Sequence, residues 1–300
     1  MDLKNIQFKK VAIVGGSGFI GTYTGRLLID LGYDVTVLDI VKPQYSCRWI
    51  QCNITTLDLI SIFQDNSFDY VFHLAAIIFA GDCRKDPAKA VSTNYAGLAN
   101  VLEACRCSQV KRVIFSSTVH VYQAANESYV NESTSLSITC PQNLYIATKM
   151  QGEHLIRSYH VEYGMPYTIM RYGIAYGKDG HRDNVVHRFT NNIRNTLPIT
   201  IYGDGTAKRS FLYVSDHARA NAMCLNLTAT NETINFDSSE VVNLHELIET
   251  IESAVNKKAI IEYADNRKND YMGRVINSEK AYSLLKWKPT VFLSEGIMSI

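Results

Sequence analysis

The stretch Lys10–Asp39, KVAIVGGSGFIGTYTGRLLIDLGYDVTVLD, decides the fold. Val11-Ala12-Ile13-Val14 is a short apolar run of the kind that fills a strand covered on both faces. It stops at Gly15-Gly16-Ser17-Gly18-Phe19-Ile20-Gly21, after which Ile20, Tyr23, Leu27, Leu28 and Leu31 recur at helical spacing until Gly32. Val35-Thr36-Val37-Leu38 reads as the next strand, with Asp39 at its carboxyl end. Strand, glycine turn, helix and strand in that order open an α/β doubly wound parallel sheet, a Rossmann arrangement.

The turn has its own chemistry. A helix that starts just beyond side-chain-free residues offers unpaired N–H groups and the positive end of its dipole, which together suit a diphosphate. Gly15, Gly18 and Gly21 permit close approach, and Phe19 and Ile20 open the helix. Asp39 falls about 20 residues beyond the turn, where a carboxylate accepts both hydroxyls of an adenosine ribose. A 2′-phosphate would be repelled there, so NAD is expected rather than NADP.

Downstream the alternation continues. Trp49-Ile50-Gln51-Cys52 is a third strand with Asn53 and Ile54 just beyond it, and a helix is expected from about Thr56 to Phe63. Asp69-Tyr70-Val71-Phe72-His73-Leu74-Ala75-Ala76 reads as a fourth strand, in which the small Ala75 and Ala76 leave room for a cofactor beside the backbone. Asp86-Pro87 starts a long helix whose buried face is expected to carry Val91, Asn94, Tyr95, Leu98, Val101, Leu102 and Cys105. A buried amide needs partners, so Asn94 is expected to brace a neighbouring loop. Arg112-Val113-Ile114-Phe115 is strand five and runs into Ser116-Ser117-Thr118, hydroxyls at the strand end that faces the ligand crevice. After a loop containing Pro141, Tyr145 and Lys149 share one side of a helix that continues through Tyr159. A neighbouring ammonium lowers a phenol's pKa from about 10 toward working pH, making Tyr145 a candidate base. Tyr167–Arg171 is a sixth strand.

Bulk properties exclude several classes of function. Thirty basic against 29 acidic residues leave a net charge of +1, without the basic excess that nucleic-acid binding brings. No apolar run of about 18 residues is present, so no membrane span is expected. The first ten residues lack the apolar stretch of a secretory signal, and seven cysteines without framework spacing suit a reduced, cytoplasmic protein. No pair of cysteines completes a zinc site. The Asn-x-Ser/Thr triplets at Asn53, Asn126, Asn131, Asn226 and Asn231 read as chance in such a protein.

With those residues in view, the chain resembles the NAD-dependent nucleotide-sugar epimerase/dehydratase family of the extended short-chain dehydrogenase/reductase superfamily, and in layout is similar to UDP-glucose 4-epimerases. The resemblance runs from about Lys10 to Gly296. It implies cofactor contacts at Gly15, Gly18, Phe19, Ile20, Gly21, Asp39, Asn53, Ile54, Leu74, Ala75, Ala76, Asn94, Ser116, Tyr145 and Lys149. It implies Thr118, Tyr145 and Lys149 as catalytic residues. Thr118, His120, Tyr145, Arg209 and Arg267 are implied on the substrate, a nucleotide-diphosphate sugar. Asn53 stands where the family usually has Asp near the adenine amine, and its amide oxygen is an alternative acceptor. Arg209 lies in Ile201–Asp216, which borders the diphosphate in the family; Arg267 with Asp270 resembles a second diphosphate contact, each able to form paired charge-assisted hydrogen bonds. The implied organisation is an NAD-binding domain over 1–173 and a smaller substrate-binding lobe over 174–300, with segments around 211–240 returning to the main sheet. A homodimer built on the Pro87 and Tyr145 helices is likewise implied.

Further positions depart from the family pattern. Ile174 replaces an Asn that helps hold substrate phosphates, and Ser210 and Ser215 replace aspartates. Thr118 is followed by Val119 and His120 rather than an acidic pair, which disfavours dehydration and leaves His120 as a candidate proton donor or a polar loop residue. The expected activity is therefore epimerisation through a transient keto sugar. A keto-sugar reductase or dehydrogenase on the same fold is one alternative, and a non-catalytic dinucleotide-binding regulatory protein is another.

Overall fold

The computed structural model describes residues 9–56, 59–139, 143–265 and 273–300. Its strands are β1 (Lys10–Val14), β2 (Asp34–Asp39), β3 (Arg48–Gln51), β4 (Tyr70–His73), β5 (Arg112–Thr118), β6 (Tyr129–Val130) and β7 (Tyr167–Tyr172). These are followed by β8 (Ile174–Tyr176), β9 (Pro198–Tyr202), β10 (Arg209–Tyr213), β11 (Glu232–Phe236), β12 (Val241–Val242), β13 (Ile260–Ala264) and β14 (Val275–Ile276). Helices α1 (Phe19–Asp30), α2 (Leu59–Asn66), α3 (Ala80–Lys85), α4 (Pro87–Val91), α5 (Gly97–Cys107) and α6 (Leu144–Tyr163) serve the first half. Helices α7 (Val185–Arg194), α8 (Val214–Met223), α9 (Leu244–Val255), α10 (Glu279–Leu285) and α11 (Leu293–Met298) serve the second.

The chain divides into two compact units. The first holds the described residues of Met1–Thr118, Asn143–Arg171 and Ala218–Ile234; the second holds those of Val119–Gln142, Tyr172–His217 and Asn235–Ile300.

A seven-stranded sheet in the order β11-β7-β5-β4-β1-β2-β3 organises the first unit. The pairs β2–β3, β1–β2, β1–β4 and β4–β5 are all parallel. Strand order reverses at β1 and β4, so the ligand crevice of the doubly wound sheet lies at their carboxyl ends. Ala12, Val14, Val71, Val113 and Phe115 from the strands pack with Phe63, Leu98, Val101, Leu102 and Ile156 from the helices in one buried core. The return of Thr233–Phe236 to the sheet is observed as β11. Its lead-in is tied by Thr168 Oγ1 donating to Ala229 O (2.7 Å) and by Arg112 Nη1 donating to Asn226 O (2.9 Å) and Thr230 Oγ1 (2.8 Å).

Two expected elements differ. Strand β4 ends at His73 instead of running to Ala76, because the N–H groups of Leu74 and Ala75 both turn onto Val14 O (2.8 and 3.0 Å) and the ladder stops. The helix after Pro87 contains a π turn over Ser92–Ala96 between α4 and α5. One added residue in that turn rotates the preceding segment, so Val91 is 41% exposed while Ala90 takes the buried position.

The second unit has a β12-β10-β8 sheet and the pairs β13–β9 and β14–β6. Its core joins Tyr176, Phe189, Ile193, Ile201 and Phe211 with Leu247, Ile251, Leu293 and Ile297. The fully buried Asp216 carboxylate accepts Thr290 N (2.9 Å), Thr290 Oγ1 (2.7 Å) and Val291 N (3.1 Å), which secures the segment leading into α11. Asp216→Ala strands those buried donors and should lower the unfolding free energy by roughly 2–4 kcal/mol, read from the urea midpoint.

Candidate active site

The glycine turn is built as its sequence requires. Gly15 has φ of +85°, and a Cβ there would stand 2.4 Å from Ala75 N, so only glycine permits both the turn and the approach of the chain leaving β4. A Cβ on Gly21 would stand 2.5 Å from Gly15 O, so α1 packs directly on the turn. The side of Gly18 is nearly open, with Gly15 O at 3.3 Å as the one close atom. Asp39 Oδ2 accepts Ser17 N (3.0 Å) and Oδ1 accepts Val41 N (3.1 Å), which holds the carboxylate at the edge of the turn.

A cavity of about 970 Å³ opens here, walled by Gly15, Gly18, Asp39, Asn53, Ile54 and Leu74 through Ile77. Lys85 and Lys89 stand among its charged lining groups. Phe19, Ile20, Gly21, Asn94, Ser116, Tyr145 and Lys149 are not part of that wall. For Asn94 the reason is direct: its Oδ1 accepts Ile77 N (2.7 Å) while Nδ2 donates to Ile77 O (2.9 Å) and Thr148 Oγ1 (3.1 Å). It braces the loop after β4, as its burial demanded, and the π turn aims it there. Asn53 is also partly committed, since Oδ1 accepts both Thr55 N (3.1 Å) and Thr55 Oγ1 (2.9 Å) in a local turn. Ile77 carries no separate signal in the sequence because it acts through its backbone, and Ser17 adds to its backbone contact a hydroxyl that donates to Val41 O (2.6 Å).

The hydroxyl cluster at the end of β5 meets α6. Thr118 hydrogen-bonds the Tyr145 phenol. The Lys149 ammonium donates to Ser116 O (2.6 Å) and lies 4.9 Å from the Phe115 ring centroid and 6.0 Å from that of Tyr145. The expected depression of the phenol is not observed: burial pushes Tyr145 up to about 12, which the Thr118 hydrogen bond opposes and the nearby Cys83 thiol adds to. Lys149 itself is driven down to about 7 by burial, an effect that Glu153 partly offsets. The ammonium is spent on a carbonyl and a ring, which leaves the phenol protonated until another positive charge arrives.

Glu153, Ser117 and His73 complete this surroundings. Glu153 is 1% exposed and lies two turns beyond Tyr145, a spacing that an i, i+4, i+8 reading of the helix contains. His73, also 1% exposed, stacks on Phe115 at 5.9 Å, and burial followed by the Lys149 charge lowers it to about 3.

The glycine turn with Asp39, the crevice cavity and the Thr118, Tyr145 and Lys149 cluster all fall within or line residues 11–236, which match the NAD dependent epimerase/dehydratase family. The chain belongs to this family. A UDP-glucuronate 4-epimerase of Thermodesulfobacterium geofontis is 31% identical over 303 residues, spanning 95% of this chain and 93% of its own. The solved UDP-glucose 4-epimerase of Thermotoga maritima, with UDP-glucose, superposes with a TM-score of 0.90 at 28% identity and 96% coverage of both chains. A UDP-glucuronic acid 4-epimerase of Bacillus cereus, in complex with UDP-glucuronic acid and NAD, gives 0.88 at 29% identity and 97% coverage of both.

In the second unit, His120 and Arg209 are electrostatic neighbours: burial, then the Arg209 charge, lower the imidazole to about 4. His120 is therefore neutral at physiological pH. Arg267 and its partner Asp270 lie outside the described residues. The missing acid at Ser210 has a local counterpart, because the Ser210 hydroxyl donates to the buried Asp237 carboxylate, which also accepts Ser238 N (2.8 Å). Burial raises Asp237 to about 6 against these hydrogen bonds. An unfolded Asp titrates near 3.9, so this proton stabilises the folded state fully below about pH 4 and ceases to do so as pH rises through about 6. The wild type should lose roughly 2–3 kcal/mol over that interval, and Asp237→Asn should flatten the loss in urea midpoints taken at pH 4, 5 and 7.

Proposed function

We propose that the protein epimerises a nucleotide-diphosphate sugar through a transient keto intermediate, with Tyr145 as base and NAD held in the first unit. The observation that carries this reading is the Thr118–Tyr145 hydrogen bond on the same α6 face as the buried Lys149. Family membership and the UDP-sugar 4-epimerases among its relatives support the reaction class.

The cavity suits a dinucleotide: its glycine wall admits backbone approach, and Asp39 presents a carboxylate that favours a ribose diol over a 2′-phosphate. Gly15, Gly18 and the first turn of α1 would hold the diphosphate, and Leu74 to Ile77 would line one side. NAD held there would supply reversible hydride acceptance for the oxidation and re-reduction of the sugar. Tyr145 removes the proton of the sugar hydroxyl, and Thr118 holds the same oxygen. A phenol near 12 is a poor base alone, so ionisation awaits the combined positive charge of Lys149 and a bound nicotinamide. Lys149 also orients the nicotinamide ribose. In the second unit, Arg209 and Arg267 are assigned to the substrate diphosphate and the neutral His120 to the sugar. The first unit then serves as the dinucleotide domain and the second as the substrate lobe of a cytosolic homodimer.

Among the described residues no helix is long and apolar enough to cross a membrane. Purified NAD-loaded protein given a panel of UDP- and dTDP-sugars should interconvert at least one epimer pair without consuming external cofactor. Tyr145→Phe should cut kcat by roughly 10³-fold or more while NAD content stays at the wild-type level. Stoichiometric use of added NADH would assign the net reaction to a reductase instead.

A further inference from the structure

Three consecutive residues of β5 each hold one turn of α6. Thr118 meets Tyr145, the Ser116 carbonyl accepts Lys149 Nζ (2.6 Å), and Ser117 Oγ donates to Glu153 Oε1 (2.6 Å). The Glu153 carboxylate is then filled from the next strand. Arg171 on β7 donates through Nε to Oε1 (2.9 Å) and through Nη2 to Oε2 (2.7 Å), a bidentate pair with both side chains 3% exposed or less. Arg157, one turn further along α6, adds a contact to Oε2 (3.2 Å) and is itself tied to Thr233 Oγ1 (2.8 Å) on β11. The helix can lie this close because Gly152 faces β5: a Cβ there would stand 2.8 Å from the Phe115 ring.

A wholly buried carboxylate is costly in a core, and an apolar residue in its place would satisfy packing more simply. The fixed geometry it gives is its distinctive property. We infer that Glu153, clasped between Ser117 and Arg171, is a positioning residue for the epimerase chemistry: it sets the register of α6 against the end of β5 so that Thr118 and Tyr145 meet, and places a carboxylate one helical turn from Lys149. This rests on the reading of Tyr145 and Lys149 given above.

The electrostatics agree with the geometry. Burial opposes ionisation of Glu153, yet the hydrogen bonds and charge of Arg171, then Ser117 and Arg157, outweigh it and keep the carboxyl below its usual range. Glu153 in turn raises Lys149. Among the described residues, the other titratable groups that face this cluster are His73 on β4, neutral by burial, and Cys83 on α3, which faces Tyr145.

The test compares NAD-loaded Ser117→Ala, Ser117→Thr, Glu153→Gln and Tyr145→Phe with wild type. Ser117→Ala should lose about tenfold in kcat with the sugar-nucleotide KM within about twofold, and Ser117→Thr, which keeps the hydroxyl, should recover most of it. Glu153→Gln removes the charge that raises Lys149, so the alkaline limb of kcat should move about one pH unit lower. In the same variant a loosened register should weaken the Thr118 hydrogen bond that lowers Tyr145, so the Tyr145 ionisation midpoint, read from tyrosinate difference absorbance against Tyr145→Phe, should move upward. Wild-type kcat, pH limb and tyrosinate midpoint in both Ser117→Ala and Glu153→Gln, with at most a lower melting temperature, would overturn the inference and leave the base assignment intact if Tyr145→Phe is inactive. If Tyr145→Phe retains turnover, the base assignment falls, and the tyrosinate midpoint alone decides: a shift supports the clasp, and no shift overturns it.

Discussion

The seam between the end of β5 and one face of α6 is the constraint on which the rest of the site depends. A strand end and a helix have no common periodicity, so neighbouring side chains on one need not meet neighbours on the other. Here Ser116, Ser117 and Thr118 use a carbonyl and two hydroxyls to reach three successive turns of the helix. The helix is thereby fixed along its axis and about it. A phenol and an ammonium placed on α6 inherit that precision, which catalysis at a single sugar oxygen requires.

Burial gives this seam its chemical character. Lys149 sits in a low-dielectric setting that weakens its hold on its proton, and His73 beside it is kept neutral. The same setting strengthens each remaining charge interaction, so Glu153 acts on Lys149 more strongly than an exposed carboxylate would. Tyr145 is left as a protonated phenol poised against a hydroxyl. On the proposed reading the site holds its base in reserve: the phenolate would become favourable when a bound cationic ring adds to the ammonium, which would couple cofactor loading to reactivity.

A second set of constraints shapes the cavity at the switch point of the sheet. Val14 O takes the N–H groups of both Leu74 and Ala75, ending β4 and turning its continuation into a wall. Asn94 then fixes that wall by pairing both polar groups of Ile77, and the π turn in the helix is what directs the amide there. In the second unit, the Ser210–Asp237 pair shows a polar position refilled from another segment, with the acid just after β11 rather than on β10. A degraded motif on one strand is thus not a lost interaction when a neighbouring segment carries the complementary group.

The local code of the chain determined a great deal. Apolar runs four residues long, a glycine turn and a carboxylate in register specified the parallel sheet, and Tyr145 with Lys149 could be paired from helical spacing alone, since these features act within one element or across one turn. Tertiary structure alone decided the rest. Val91 left the buried face because a π turn added a residue, the phenol rose to about 12 because burial outweighed the Thr118 hydrogen bond, and Glu153 joined the β5–α6 seam because Ser117 and Arg171 converge on it from separate strands. Periodicity reports which way a side chain points, whereas pKa, register and partnership depend on what other segments bring to the same few ångströms, and that is set by packing.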